Sequence, residues 1–450
     1  MEKKMEGPPQ LPEVAPATAA VSVSTVVPAD LPEGIAGFHI TYPRAGESET
    51  VYSLPLEGWV VPAEVPATTV KVHGVYRPVP TAPVAILRED IERLYPELPW
   101  ARRAGFAVRI NALQLPRQFK LAVSAVLEDG PVARLGTIEG RRRALPAHET
   151  RYRPLMVTTI GRSGSTWLTW LLGAHPAIAD YRSFEYESKV APYFAEALRL
   201  LTRPASYYQP IRGEIDYTGW WRGPDPAWPL WWHTSHEAID EWLGSEHIDD
   251  LIEFFVGRID GLFGRIAVAL GKEDATYVVE KFPPSYFGQP LIAELVPGSR
   301  EIVLVRDFRD VAASLFAFGE KRGRHWYEDH AALSAAEIVN EPLRNDVEQL
   351  THAWQDRSES ALLVRYEDLV LRPAETLAGV LSFLDLDARP ETVASTLAAA
   401  GRVDGQIQDA HVTSATAADS IGRWRRDLSP ELQRLCEESL GDGLEAFGYA

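Results

Sequence analysis

The stretch Leu155-Met-Val-Thr-Thr-Ile-Gly-Arg-Ser-Gly-Ser-Thr-Trp-Leu168 constrains the fold more than any other. An apolar run reads as a buried strand, a glycine-bearing turn follows at once, and a helical pattern begins near Thr166. Gly161 and Gly164 let the backbone turn tightly, so successive N–H groups and the positive end of the next helix can converge on one anion. Arg162, Ser165 and Thr166 add side-chain donors. A nucleoside-triphosphate loop requires G-x-x-x-x-G-K-[ST], with a lysine on the β/γ-phosphates. Here the turn is shorter and carries Arg162 early, so the expected ligand is a phosphate other than that of a nucleoside triphosphate.

A second buried strand is expected at Glu301-Ile-Val-Leu-Val305, from which Arg306-Asp-Phe-Arg-Asp-Val-Ala-Ala-Ser314 carries the chain into a helix. In an open parallel sheet, ligands gather outside the carboxyl ends of the strands, where both the Gly161–Thr166 turn and Arg306 fall. At these two segments the chain resembles the sulfotransferase family, whose members take 3′-phosphoadenosine 5′-phosphosulfate (PAPS) as donor. The resemblance implies that Arg162, Ser163, Gly164, Ser165, Thr166 and Trp167 grip the 5′-phosphosulfate. It further implies that Arg306 and Ser314 grip the 3′-phosphate. Gly161 stands where many members have proline.

The resemblance continues through the rest of the chain. Tyr277-Val-Val-Glu-Lys-Phe-Pro283 is similar to the family's E-K-x-P segment, Leu363-Val-Arg-Tyr-Glu-Asp-Leu-Val370 to its Y-E-D-L strand, and Ser420-Ile-Gly-Arg-Trp424 to its C-terminal nucleotide-contacting turn. It implies that Lys281 contacts the bridging oxygen as the sulfuryl group departs, and that Tyr366 and Arg423 touch the nucleotide. Residue chemistry alone leaves alternatives: a Lys281–Glu280 salt bridge, an Arg306–Asp310 surface pair, a packed Tyr366 with its hydroxyl in water, and Arg423 stacked on Trp424. The family's base is a glutamate shortly after a D-A-H-P-like helix end. Gly173-Ala-His-Pro176 is followed by Asp180-Tyr-Arg-Ser-Phe-Glu-Tyr-Glu187, which puts Glu185 first and Glu187 second, with surface pairing to Arg182 or Lys189 as the alternative for both. His175 is expected to end its helix.

At 450 residues the chain is long for one domain. The expected organisation is a disordered Pro/Ala-rich tail over 1–33, an all-β sandwich over 34–147, and a three-layer, parallel-sheet α/β P-loop sulfotransferase fold over 148–450. Short β-branched runs between turns carry the sandwich: Thr69-Val-Lys-Val-His73, Phe106-Ala-Val-Arg-Ile110 and Phe119-Lys-Leu-Ala-Val-Ser-Ala-Val126. Its landmarks Gly58-Trp59, Tyr95-Pro96, Gly105-Phe106 and Asp129-Gly130 resemble small β-domains fused to bacterial glycosyltransferases. Beyond Arg153, strands are expected near 155–160, 276–280, 301–305 and 361–366, each followed by a helix near 166–174, 288–296, 309–320 and 374–384. Such alternation demands parallel strands with helical crossovers. The run Arg141-Arg-Arg143, beside the domain boundary, is expected to be a solvated linker. The interval 184–275 is expected to serve the acceptor.

A formal charge of −18 argues against a broad nucleic-acid-binding surface. No apolar run approaches the roughly 18 residues needed to span a bilayer, and the opening Met1-Glu-Lys-Lys lacks the apolar segment of a secretory signal. Together with the lone Cys436, these features give the expectation of a soluble cytoplasmic protein. His233 and His236 share a helical face, but no third ligand accompanies them, so no metal is expected. The stretch Trp220–Trp232 holds five tryptophans, suited to a lid, to acceptor contacts or to packing. The resemblance therefore implies a PAPS-dependent sulfotransferase that releases PAP and acts on an acceptor hydroxyl. A carbohydrate or glycolipid acceptor follows from the accessory domain by analogy. A nucleotide-dependent phosphotransferase, or a carbohydrate-binding protein with an inactive transferase domain, is the alternative, and the oligomeric state is not legible.

Overall fold

The computed structural model describes residues 19–74, 81–128, 130–183, 186–202, 242, 246–284, 288–322, 333–400, 413–414 and 416–450. Residues 1–18 of the expected tail, the tryptophan-rich stretch 220–232, His233, His236 and Glu185 lie outside them. The chain divides into two compact units, Met1–Leu145 with Leu198–Leu251, and Pro146–Ala197 with Ile252–Ala450.

The first unit is built on antiparallel strands: β1 (Val21–Pro28), β2 (Ile35–Tyr42), β3 (Ser48–Glu49), β4 (Ser53–Pro62), β5 (Ala67–His73), β6 (Thr81–Pro83), β7 (Gly105–Asn111), β8 (Gln118–Leu127) and β9 (Val132–Arg142), with a short helix α1 (Glu89–Leu94). One sheet has the order β3-β1-β9-β8-β5-β6 and the other β2-β4-β7. Alternate residues such as Val70 and Val72 of β5 and Leu121 and Val123 of β8 are fully buried, which gives the larger sheet its apolar face.

Two details differ from the expectations. Residues 21–28, assigned to the tail, form β1, which pairs with β9 from Val21–Arg142 to Pro28–Gly136. Its Val-Ser-Val-Ser alternation buries Val21 and Val23, a strand signal that the surrounding Pro and Ala residues obscure. Nor is Arg141-Arg-Arg143 a solvated linker. Arg142 is buried at the end of β9 and its Nε donates to the Leu115 carbonyl at 2.7 Å, while Arg143 donates to the Tyr52 hydroxyl at 2.9 Å and pairs with Asp249 at 3.2 Å. Carbonyl, phenol and carboxylate partners replace the water these guanidinium groups give up.

The second unit holds a parallel sheet of order β11-β14-β10-β15-β16, made from β10 (Arg153–Thr159), β11 (Ile178–Ala179), β14 (Tyr277–Phe282), β15 (Arg300–Val305) and β16 (Ala361–Arg365). A separate hairpin pairs β12 (Arg182–Ser183) with β13 (Tyr186–Glu187). The first strand in sequence, β10, is central, with β14 on one side and β15 on the other, so the strand order reverses at its carboxyl end. Within β15, Ile302 and Leu304 join one core with Leu168 and Leu171, whereas Val303 and Val305 join another with Phe308 and Leu440. Successive residues of a strand face opposite ways, so these two cores lie on the two faces of the sheet and make three layers.

First in chain order come α2 (Ser165–Gly173), α3 (Val190–Leu201), α4 (His247–Ala269), α5 (Gly288–Leu295) and α6 (Phe308–Arg322); α2, α5 and α6 match expected helices, whereas α3 and α4 fall in the interval 184–275, where no helix was placed. Beyond them come α7 (Ala335–Ile338), α8 (Arg344–Arg357), α9 (Tyr366–Leu371), α10 (Pro373–Phe383), α11 (Pro390–Ala400), α12 (Trp424–Asp427) and α13 (Pro430–Ala446). Among the described residues no helix is long and apolar enough to cross a membrane.

Candidate active site

Strand β10 ends at Thr159 and α2 begins at Ser165, so only the turn through Gly164 separates them. Arg162 and Gly164 adopt φ of +70° and +88°. That region costs a residue bearing a Cβ roughly 1–2 kcal/mol, and persists where surrounding structure fixes it. Arg162 is fixed by its side chain: Nε donates to Ser314 Oγ at 3.3 Å, and the guanidinium lies 4.4 Å from the centre of the Phe318 ring. A Cβ at Gly164 would collide with the Tyr366 ring, so glycine is required there for space as well as for φ. The turn leads directly into the first turn of α2, whose N–H groups have no partners within the helix.

Arg306, just beyond β15, is buried against this turn. Its Nη1 donates to the Arg162 carbonyl at 3.1 Å, its Nη2 donates to the Ser420 carbonyl, and its guanidinium lies 4.7 Å from the centre of the Tyr366 ring. The Tyr366 hydroxyl is bonded to Ser420 Oγ at 2.9 Å rather than standing in water. Ser314 lies 3.4 Å from Thr413 Oγ1, which accepts from Arg423 Nη1 at 2.8 Å. Arg162, Arg306, Ser314, Tyr366 and Arg423 thus converge through one connected set of contacts, and the Trp167 ring meets Tyr366 edge-on at 6.3 Å. Two buried polar atoms in this set, Ser163 Oγ and Arg306 Nε, have no hydrogen-bond partner among the described residues.

Asp310 does not make the surface pair with Arg306. It is fully buried on α6 and accepts from the N–H of Gly422 at 2.7 Å and of Trp424 at 2.9 Å, pinning the turn that carries Arg423 between them. Burial raises its pKa above the ordinary aspartate value, and the two backbone donors oppose that rise. Arg423 pairs with Asp427 at 2.7 Å, and the guanidinium groups over Trp424 are those of Arg309 and Arg425.

At the end of β14, Lys281 Nζ donates to Thr166 Oγ1 at 2.8 Å, in the loop rather than toward Glu280. Glu280 is 2% exposed and serves α3 instead. Its carboxylate accepts from Ser188 Oγ and from the N–H of Val190 at 2.7 Å and Ala191 at 2.8 Å, meeting donors that the helix start leaves over. Desolvation raises its pKa despite those three donors. His175 accepts the Ala177 N–H on Nδ1 at 3.1 Å, just past the end of α2, and burial lowers its pKa, favouring the neutral ring. Of the two candidate bases, Glu187 is described in its backbone alone, opposite Arg182 in the β12–β13 hairpin.

Sequence reasoning did not single out Thr413 or Ser420, and took Asp310 only as a surface partner of Arg306. Ser420 stood inside a quoted motif and Asp310 inside another, but Thr413 has no local signal at all. Among the described residues no group of three His, Cys, Asp or Glu side chains could hold a metal ion.

A strand–turn–helix arrangement at a switch point, with a second cationic cluster at the end of the neighbouring strand, is a frame suited to an anionic ligand. The model of the sulfotransferase family matches residues 154–390, just over half of the chain, and the chain belongs to that family. Carbohydrate sulfotransferase 3 of Mus musculus is 27% identical over 176 residues, 36% of this chain and 36% of its own length. Among solved structures, the sulfotransferase domain from the Synechococcus PCC 7002 olefin synthase is 15% identical, with 69% of this chain and 99% of that one covered at a TM-score of 0.38. A mouse sulfotransferase complexed with PAP is 12% identical, with 67% and 85% covered at a TM-score of 0.35.

Proposed function

We propose that this transferase takes PAPS as donor and passes its sulfuryl group to an acceptor hydroxyl, releasing PAP. The observation that carries the reading is the convergence of Arg162, Arg306, Ser314 and Arg423, with Ser163 Oγ and Arg306 Nε buried and unpartnered among the described residues. Buried donors of this kind suit an anion. The 5′-phosphosulfate is assigned to the loop from Arg162 to Trp167, and the 3′-phosphate to Arg306 and Ser314. Tyr366 and Arg423 are assigned to the nucleotide.

In this scheme the acceptor oxygen attacks sulfur while the bond from sulfur to the phosphate oxygen of PAP breaks. Charge spreads over peripheral oxygens, so positioning and electrostatics do most of the catalysis. Glu185 takes the acceptor proton, with Glu187 as the second candidate. Lys281, held beside Thr166, neutralises the oxygen that leaves, and Arg162 steadies the sulfuryl group. A carbohydrate acceptor is suggested by the carbohydrate sulfotransferase relative. The expectation of a cytoplasmic enzyme rests on the single, buried Cys436.

The test is transfer of 35S from labelled PAPS to a panel of hydroxyl acceptors, read by mass and radioactivity. Labelled product with stoichiometric PAP is expected. Phosphate transfer from ATP–magnesium, with PAPS inert across the panel, would overturn the reading.

A further inference from the structure

The acceptor needs a place of its own, and one cavity in the second unit is positioned for it. It measures about 740 Å3 and is lined by Tyr181, Ser188, Tyr193 and Phe194 together with Leu262 and Ile266 of α4. The two charged residues that also border it, Lys189 and Arg265, are exposed. In sequence, Tyr181 and Ser188 flank the segment 182–187 that is proposed to supply the base.

The cavity wall is anchored to the donor loop. Ser188 Oγ donates to Glu280, which also holds the first N–H groups of α3, and the next residue, Lys281, bonds Thr166. Strand neighbours send their side chains to opposite faces, so one strand end fixes both the loop and the cavity. The volume falls within the roughly 300–1,000 Å3 typical of small-molecule sites. The lining is mainly apolar and aromatic, and the Ser188 hydroxyl is already engaged by Glu280. A bare sugar buried there would find few groups to replace its water, whereas an alkyl or aryl group would be covered by Phe194, Leu262 and Ile266.

We infer that this cavity holds the apolar body, alkyl or aryl, of an amphiphilic acceptor. The word acceptor rests on the sulfotransferase reading; the cavity's preference for an apolar body does not. Leu262 is 40% exposed and Tyr193 68% exposed, so Leu262→Asp and Tyr193→Asp leave the buried core intact.

The experiment is calorimetry on the full chain saturated with PAP, using octyl β-glucoside below its micellar concentration and methyl β-glucoside as the matched head group. The octyl compound is expected to bind at least about tenfold more tightly, and each variant to weaken it by about tenfold or more with PAP affinity unchanged. Equal affinity for the two glucosides, or octyl binding unmoved by both variants, overturns the proposal. Failure of PAP to bind the wild-type chain would overturn the donor assignment instead, and the same titrations without PAP would still read the cavity.

Discussion

Replacing Arg306 with alanine removes three things at once: the donor to the Arg162 carbonyl at 3.1 Å, the donor to the Ser420 carbonyl, and the cation 4.7 Å from the Tyr366 ring centre. These losses loosen the turn and should weaken any adenine nucleotide. The 3′-phosphate adds a loss that only PAP feels. A hydrogen bond to a charged group contributes about 1.5–3 kcal/mol, and about 1.4 kcal/mol is a factor of ten. Arg306→Ala should therefore raise the Kd for PAP by roughly 10–150-fold more than the Kd for adenosine 5′-phosphate, which lacks only the 3′-phosphate. Calorimetry with both nucleotides on wild-type and variant protein gives the ratio directly, with thermal unfolding as the check on folding. If the two nucleotides lose affinity by the same factor, Arg306 supports the loop and does not recognise the 3′-phosphate.

Glu185→Gln should keep PAP affinity while kcat falls by about two to four decades, and Glu187→Gln should be mild; steady-state kinetics showing the reverse pattern would move the base to Glu187. Asp310→Asn leaves only one oxygen for the N–H groups of Gly422 and Trp424. Urea unfolding should show a loss of about 1–3 kcal/mol, accompanied by weaker PAP binding, and an unchanged PAP Kd would mean that Arg423 does not touch the nucleotide. Glu367 accepts from the Asp307 N–H and the Tyr449 hydroxyl, and burial raises its pKa above 4.5. The folded state therefore holds the proton longer than the unfolded one, and stability from this group is lost as pH rises from 4.5 through the folded value. Urea melts at stepped pH should show Glu367→Gln gaining on wild type as pH rises through that window; a constant difference would contradict the sign.

Much of the second unit was legible because its strands are short apolar runs that end in glycine, arginine or tyrosine, and the expected strand at 301–305 differs from β15 by one residue. The motifs located Arg162, Lys281, Arg306, Ser314, Tyr366 and Arg423, and the fold brings the members of each group together. What stayed hidden depends on partners far apart in sequence. Glu280 is adjacent to Lys281, yet its contacts lie about ninety residues earlier, at Ser188, Val190 and Ala191. Arg142 looked like part of a charge run, but the Leu115 carbonyl that it donates to lies 27 residues earlier, outside that run. Strand β1 was masked by composition: prolines and alanines around Val21–Pro28 outweighed a short alternation whose value appears only when β9 lies beside it.

The donor assignment meets its most direct test in calorimetry of the full chain in metal-free buffer, with PAP in one titration and ATP–magnesium in another. Arg162, Arg306 and the first turn of α2 supply the positive charge themselves. PAP should bind with one site per chain and no added metal, and ATP–magnesium should bind far more weakly. Tight ATP–magnesium binding with no heat from PAP would contradict the account.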